Sequence, residues 1–143
     1  MSLFVRGRRW FAAGSILTLV VALLHTIGNV TQGPPDPALA NVEAAMRGYR
    51  VPLGMGMSPS VWDIYRCLVF TMSLCLVGTG ALGIALGASS EVSPGILKRV
   101  ATVLTIVSAA LAVLSYAYRI PPPLVSFVVL TLVFAAASVK TNR

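Results

Sequence analysis

Charged residues, histidine and cysteine are all scarce in this chain of 143 residues. Asp and Glu together number four, there are one histidine and two cysteines, and charged residues make up only 10% of the sequence. A soluble domain carries about 25% charged residues. With a hydrophobic fraction of 57% and a mean hydropathy of +0.86, the chain cannot cover a water-facing surface. We therefore predict an integral membrane protein.

The same scarcities argue against several kinds of membrane chemistry. No Asp or Glu falls in the middle of an apolar run, where a proton-coupled exporter needs a carboxylate. Cys67 and Cys75 are about 12 Å apart along a helix, whereas a disulfide needs Cα atoms within about 7 Å. One histidine is too few for a di-haem bundle, and no cluster of His or Cys indicates a metal site.

The net charge of +7 comes from eleven Lys and Arg residues that lie between or beside the apolar runs. A nucleic-acid-binding protein needs instead a basic patch on a soluble surface, interleaved with polar and aromatic groups. The placement of the charges therefore indicates membrane topology, and we expect no nucleic-acid partner.

Four apolar segments are long enough to cross a bilayer, which takes about 20 residues. They cover residues 10–30, 59–86, 95–118 and 122–139. We predict an all-α fold, a transmembrane four-helix bundle that forms one integral membrane domain over residues 1–143. A cleaved signal peptide is the alternative for the first segment. Its apolar run is too long for one, and no small-residue cleavage site follows it directly.

The basic residues also predict orientation, because short cytoplasmic loops carry more Lys and Arg than outer loops do. Seven of these residues lie on one side of the predicted spans and four on the other. Both termini are therefore expected in the cytoplasm, with the protein in the inner membrane of a bacterium. The first group is Arg6, Arg8, Arg9, Lys98, Arg99, Lys140 and Arg143, and the second is Arg47, Arg50, Arg66 and Arg119.

The outer connection between the first two spans is predicted to hold a short amphipathic helix over residues 37–47. Asp36 can accept a hydrogen bond at the start of this helix, and Pro37 suits the first helical position. The loop 51–57 is rich in glycine and methionine, and we expect it either to dip into the lipid headgroups or to cover a binding site. The apolar face of the helix consists of Leu39, Val42, Met46 and Tyr49.

The first span carries the only histidine, His25, within a stripe of polar side chains. On a helix these residues fall along one side, and polar residues mark the sides where transmembrane helices meet. His25 lies about 22 Å beyond Trp10 along the helix, which puts it in the outer leaflet. The stripe consists of Ser15, Thr18, His25, Asn29 and Gln32.

A candidate polar or ligand site follows if the first two spans are antiparallel neighbours, because Asp63 then comes within a turn or two of His25. Its residues are His25, Asn29, Asp63, Tyr65 and Arg66. The structural alternative is an interior histidine that bonds a neighbouring helix, with an Asp63–Arg66 ion pair that fixes helix depth. A single haem or chlorophyll-type pigment on His25 stays open as a cofactor. No residue is assigned a catalytic role.

Helix packing is predicted at three glycines near the end of the second span. Gly83 and Gly87 form a GxxxG pattern, which lets two transmembrane helices approach closely. Gly80 lies one turn earlier and is expected on the same face.

Two short motifs, His25-Thr-Ile-Gly28 and Ser60-Val-Trp-Asp-Ile-Tyr-Arg66, resemble those of small bacterial four-span proteins of the broad DoxX-like kind. The pattern of spans extends this resemblance over most of the chain. The resemblance implies a four-helix bundle in the cytoplasmic membrane and assigns no catalytic residue.

Two classes of function remain open from the sequence. The first is a non-enzymatic membrane subunit that packs against lipids and against other membrane subunits or further copies of itself. Such a subunit can also hold a lipid, a quinone or a pigment. The alternative is a membrane enzyme or small-molecule carrier with its site at the outer rim, around His25 and Asp63.

Overall fold

The computed structural model describes residues 3–31 and 36–141 and is helical over most of this length. Four of the helices are long and apolar enough to cross a membrane, as the hydropathy pattern predicts. The predicted all-α class is confirmed for the described part of the chain. Pairing of the β type is limited there to two isolated bridges. In chain order the helices are α1 (Leu3–Val30), α2 (Pro37–Gly48), α3 (Val61–Ala88), α4 (Pro94–Ala117) and α5 (Pro121–Lys140).

Local sequence signals fix where several helices begin. The Asp36 carboxylate accepts a hydrogen bond from the Ala38 amide at 3.1 Å, and a proline opens α2. Ser93 caps α4 in the same way, with its hydroxyl accepting from the Ile96 amide. A side-chain oxygen before a proline satisfies one amide at a helix start, while the proline lacks the next one. The second long helix begins at Val61, two residues later than the sequence suggests.

The chain divides into two compact units. Unit 1 contains the chain up to Val21 and from Leu76 onward, and unit 2 runs from Ala22 to Cys75. Unit 1 therefore holds α4 and α5 with parts of α1 and α3. Unit 2 holds α2, the connection to α3, and the remaining parts of α1 and α3.

The core of unit 1 is built from aromatic and small residues. Phe11 of α1 and Phe134 of α5 are almost fully buried and meet edge to face, with ring centres 6.1 Å apart. Leu97 and Leu130 are equally buried, on α4 and α5. Lipid tails are as apolar as these side chains, so burial alone provides little driving force between the helices. Close packing must provide the stability instead.

Several glycines permit this close packing. A Cβ built on Gly14 would come 2.6 Å from the Phe134 ring, and one on Gly7 would come 2.8 Å from the Thr141 amide nitrogen. Real Cβ atoms essentially never come this close to a neighbour, so a side chain at either position would force the contacting atoms to shift. The glycines of α1 thus bring α5 close to it within unit 1.

Arg8 closes the end of α3 within unit 1. Its guanidinium donates to the backbone carbonyls of Gly87 at 3.1 Å and Val92 at 2.9 Å, and also to that of Ser89. The last carbonyls of a helix have no partner within the helix. One side chain of α1 therefore satisfies the end of α3 and the turn that follows it.

Unit 2 contains a small hairpin between α2 and α3. The Val51 amide donates to the Pro59 carbonyl at 2.9 Å, and the Leu53 amide donates to the Met57 carbonyl at 3.1 Å. The Met57 amide closes the turn on the Gly54 carbonyl at 2.9 Å. Residues 50–60 thus form a narrow hairpin whose tip is the turn Gly54–Met57.

Candidate functional site

His25 lies in the unit 2 part of α1 and is half-buried. Its Nε2 atom is buried and has no hydrogen-bond partner among the described residues. The Asn29 side-chain amide donates to the His25 backbone carbonyl at 2.6 Å, so it does not orient the imidazole. Most buried polar atoms in proteins have a partner, and an exception calls for a physical explanation.

Asp63 has a structural partner three residues before it. Its Oδ2 atom accepts from the Ser60 amide at 3.0 Å and from the Ser60 hydroxyl at 2.7 Å. The Ser60 hydroxyl in turn accepts from the Asp63 amide at 3.1 Å. This reciprocal arrangement is a capping box, which satisfies amides at the start of α3. Ser60, one of the two residues of this box, is buried.

Two arginines make cation–π contacts with aromatic residues near the start of α3. The Arg47 guanidinium, on α2, lies 4.7 Å from the centre of the Trp62 ring. Arg66 lies 4.9 Å from the Phe70 ring and 6.0 Å from the Trp62 ring. Tyr65 packs against Trp62, with ring centres 5.6 Å apart. A guanidinium over an aromatic face is an attractive arrangement, and here it ties α2 to α3.

The structure thus gives the predicted site residues separate local roles. Within the described residues, no hydrogen bond or ion pair joins His25 to Asp63, and Arg66 contacts aromatic rings rather than Asp63. The sequence pattern does not predict the contact between Arg47 and Trp62. Its only signal is that a basic residue near the end of one helix precedes an aromatic residue at the start of the next.

The polar stripe of the first span is divided between the two units. Ser15 and Thr18 are buried in unit 1, where each hydroxyl donates to a carbonyl one turn earlier in α1. In unit 2 the Thr26 hydroxyl, outside the predicted stripe, reaches across to the Ser73 hydroxyl of α3 at 3.0 Å. Gln32, the last residue of the predicted stripe, lies outside the described residues.

The glycines of α3 that were predicted to pack lie against α1 in unit 1. A Cβ on Gly83 would meet the Ser15 side chain, and one on Gly80 would come 2.7 Å from Leu19. Gly87 is less constrained, because a Cβ there would lie 3.4 Å from Phe11, an ordinary contact distance. Gly78, on the same helix, has open space around it.

Four long apolar helices define this chain as a multi-pass membrane protein. Among the described residues, no group of three or more His, Cys, Asp or Glu is placed to hold a metal ion. No protein-family model, no curated protein and no solved structure matches the chain. The resemblance to DoxX-like proteins therefore stays a prediction.

Proposed function

We propose that this protein is a non-enzymatic subunit of a larger assembly in the cytoplasmic membrane. Its four long helices form a bundle with both termini in the cytoplasm, and α2 with the following hairpin lies on the opposite side. Its partners are lipids and other membrane subunits or further copies of the chain. This orientation rests on the excess of Lys and Arg near the expected cytoplasmic ends.

One observation carries the proposal: of the polar groups in the candidate site, the Asp63 carboxylate and the Asn29 amide are occupied by structural bonds. The Asp63 carboxylate caps α3, and the Asn29 amide bonds the backbone of its own helix. A general acid or base must be within reach of its substrate's proton. In addition, α3 and α4 keep many apolar side chains exposed, such as Leu68, Leu74 and Val113. These are the faces that lipids or partner helices would cover.

Native mass spectrometry tests the proposal, on protein extracted with its surrounding lipid by a styrene–maleic acid copolymer. We expect a mass above that of a single chain together with its bound lipid. The variant His25→Ala should retain this mass if His25 only packs, and Ile27→Ala, an exposed neighbour on the same helix, is its matched control. A mass of one chain, unchanged at high protein density, would contradict the proposal.

The second candidate is a carrier or enzyme whose ligand binds His25. The unpartnered, buried Nε2 atom favours this alternative, because ring nitrogens without a hydrogen bond are the ones available to haem iron, to a pigment or to a polar ligand. The absorption spectrum of the purified protein separates the two candidates. A Soret or chlorophyll band that disappears in His25→Ala would favour the ligand reading. A band that persists in this variant would show that His25 does not bind the ligand.

A further inference from the structure

The most exposed apolar side chain of unit 2 lies on the hairpin, and other exposed apolar side chains lie on either side of it. Met55, at the hairpin tip, is 92% exposed, and Leu53 and Met57 on either side are more than half exposed. We infer that this tip inserts into the lipid leaflet beside it and anchors the segment between α1 and α3 to the membrane. The inference is independent of whether the protein is a subunit or a carrier.

The backbone of the tip is strained in a way that singles out Met55. Met55 and Gly56 both have positive φ, at 49° and 75°, and the Met57 amide bonds the Gly54 carbonyl. These are the features of a type I′ turn, which favours Asn, Asp or Gly at its two central positions. A side chain with a Cβ is disfavoured in the left-handed region. Asn would suit both the backbone and water better than methionine does.

Met55 is therefore placed where neither water nor the local backbone favours it. Strained residues that persist in proteins tend to serve a function, and methionine is a flexible side chain that adapts to irregular apolar surroundings. Insertion into lipid explains both features. The favourable transfer of the apolar side chain out of water offsets the conformational cost of the left-handed backbone at Met55.

Pairing of part of its backbone lowers the cost of moving the hairpin out of water. The amides of Val51, Leu53 and Met57 all donate to carbonyls within the hairpin. An unpaired amide in lipid is costly, and irregular loops are normally kept out of lipid for this reason. The guanidinium of Arg50 donates to the Ser58 carbonyl at the base of the hairpin, which keeps its charge away from the tip.

α2, which belongs to the same unit, also presents an exposed apolar stripe. Leu39 and Val42 are each more than half exposed, and Tyr49, which follows the helix, is 67% exposed. None of the residues of α2, all of which the structure describes, is buried. Ala44 lies on the opposite side of this helix. A helix with one largely exposed apolar face is typical of the membrane interface.

Chain connectivity favours lipid, rather than water, as the surroundings of the apolar side chains at the hairpin tip. The segment is attached at one end to α1 and at the other to α3, and both are candidate membrane spans. The Val61 amide donates to the Tyr49 carbonyl at 3.0 Å, which holds the base of the hairpin at the start of α3. Trp62 and Tyr65, in the next turn, are residue types that mark the headgroup boundary. The hairpin therefore starts at the membrane surface.

Spin labelling tests the inference on the full chain in phosphatidylcholine vesicles. Cys67 and Cys75 are first replaced by Ala, and a nitroxide is attached at Met55→Cys, Leu53→Cys or, as the matched control, Ala44→Cys. Power saturation then compares the collision rates of the label with oxygen, which concentrates in lipid, and with a nickel chelate, which stays in water. We expect oxygen to dominate at positions 53 and 55 and the nickel chelate to dominate at position 44.

Each alternative result overturns the inference. Dominant nickel collisions at positions 53 and 55 would place the tip in water. Low rates with both reagents would show that protein covers the tip, which points to a partner subunit instead.

A second pair of variants tests the role of Met55 itself, read by the label at position 53. Met55→Asn suits the turn but removes the apolar side chain, so it should shift the label toward water without loss of helix content by circular dichroism. Met55→Leu keeps an apolar side chain and should leave the label in lipid. The same oxygen-to-nickel ratio in both variants would mean that Met55 does not anchor the hairpin.

Discussion

Gly14 of α1 lies against the ring of Phe134 in α5, so that a Cβ on this glycine would approach the ring carbon Cε1 to 2.6 Å. Phe134 is itself almost fully buried and packs on Phe11, so its ring has little freedom to move away. The fit between α1 and α5 in unit 1 thus depends on a missing methyl group.

Gly14→Ala should therefore lower the free energy of unfolding by about 1–3 kcal/mol, the usual cost of overpacking. Gly28→Ala is the matched control on the same helix, because a Cβ there meets no atom within 4 Å. It should be neutral or raise stability by about 0.5 kcal/mol, since alanine favours the helix over glycine. Thermal unfolding in detergent measures both variants.

The double variant Gly14→Ala with Phe134→Leu completes this test. A smaller side chain at position 134 removes the ring edge that the new methyl group meets, so the two changes should not add. Strictly additive losses would show that the Gly14 contact is not responsible for the effect.

Gly83 and Gly78 provide a second comparison, on α3. Gly83→Ala should destabilise the protein by about 1–3 kcal/mol, because the new methyl group would meet Ser15, which is buried. Gly78→Ala should have almost no effect, since nothing lies within 4 Å of a Cβ there. Unfolding by sodium dodecyl sulfate, followed by circular dichroism, measures both. Equal losses in the two variants would contradict the packing of α3 on α1 in unit 1.

Lysine should not be able to replace Arg8 without a loss of stability. The planar guanidinium bonds carbonyls of Gly87, Ser89 and Val92 together, whereas a single ammonium cannot match this fork. Arg8→Lys should cost about 2 kcal/mol, a typical value for losing hydrogen bonds to a charged group. It should also speed amide exchange in residues 88–92. Arg9→Lys, an exposed neighbour, should change neither quantity.

The cap of α3 can be tested by removing its hydroxyl. Ser60→Ala should lower stability by about 1 kcal/mol and fray the first turn of α3, because the hydroxyl both accepts from and donates to Asp63. Ser58→Ala is the control, since the hydrogen bond made at position 58 uses its backbone carbonyl. Amide exchange at Asp63 and Ile64 gives the local reading, and thermal unfolding gives the global one.

A double-mutant cycle distinguishes this cap from the pair that the sequence suggests. Asp63→Asn should couple strongly to Ser60→Ala and should be additive with His25→Ala. Coupling to His25 rather than to Ser60 would show that the carboxylate faces the histidine in the membrane.

The number and type of the long helices could be predicted because each helix corresponds to a continuous apolar run. Such a run can be recognised without information about tertiary contacts. The role of Asp63 was also available locally, since Ser60-x-x-Asp63 is a capping-box spacing that precedes an apolar run. The targets of Arg8 were not, because they lie about 80 residues away in sequence. The strained turn at Met55 was hidden for another reason: a methionine between two glycines carries no signal for a type I′ turn.

The packing of Gly14 on Phe134 also determines when the fold can be completed during synthesis. The two residues are separated by most of the chain, so α1 leaves the ribosome long before its partner in α5 exists. At about 5–20 residues per second, roughly ten seconds pass between them. During this interval the glycine face of α1 is uncovered. A chaperone or insertase that shields this face during that wait would act on α1 before α5 arrives.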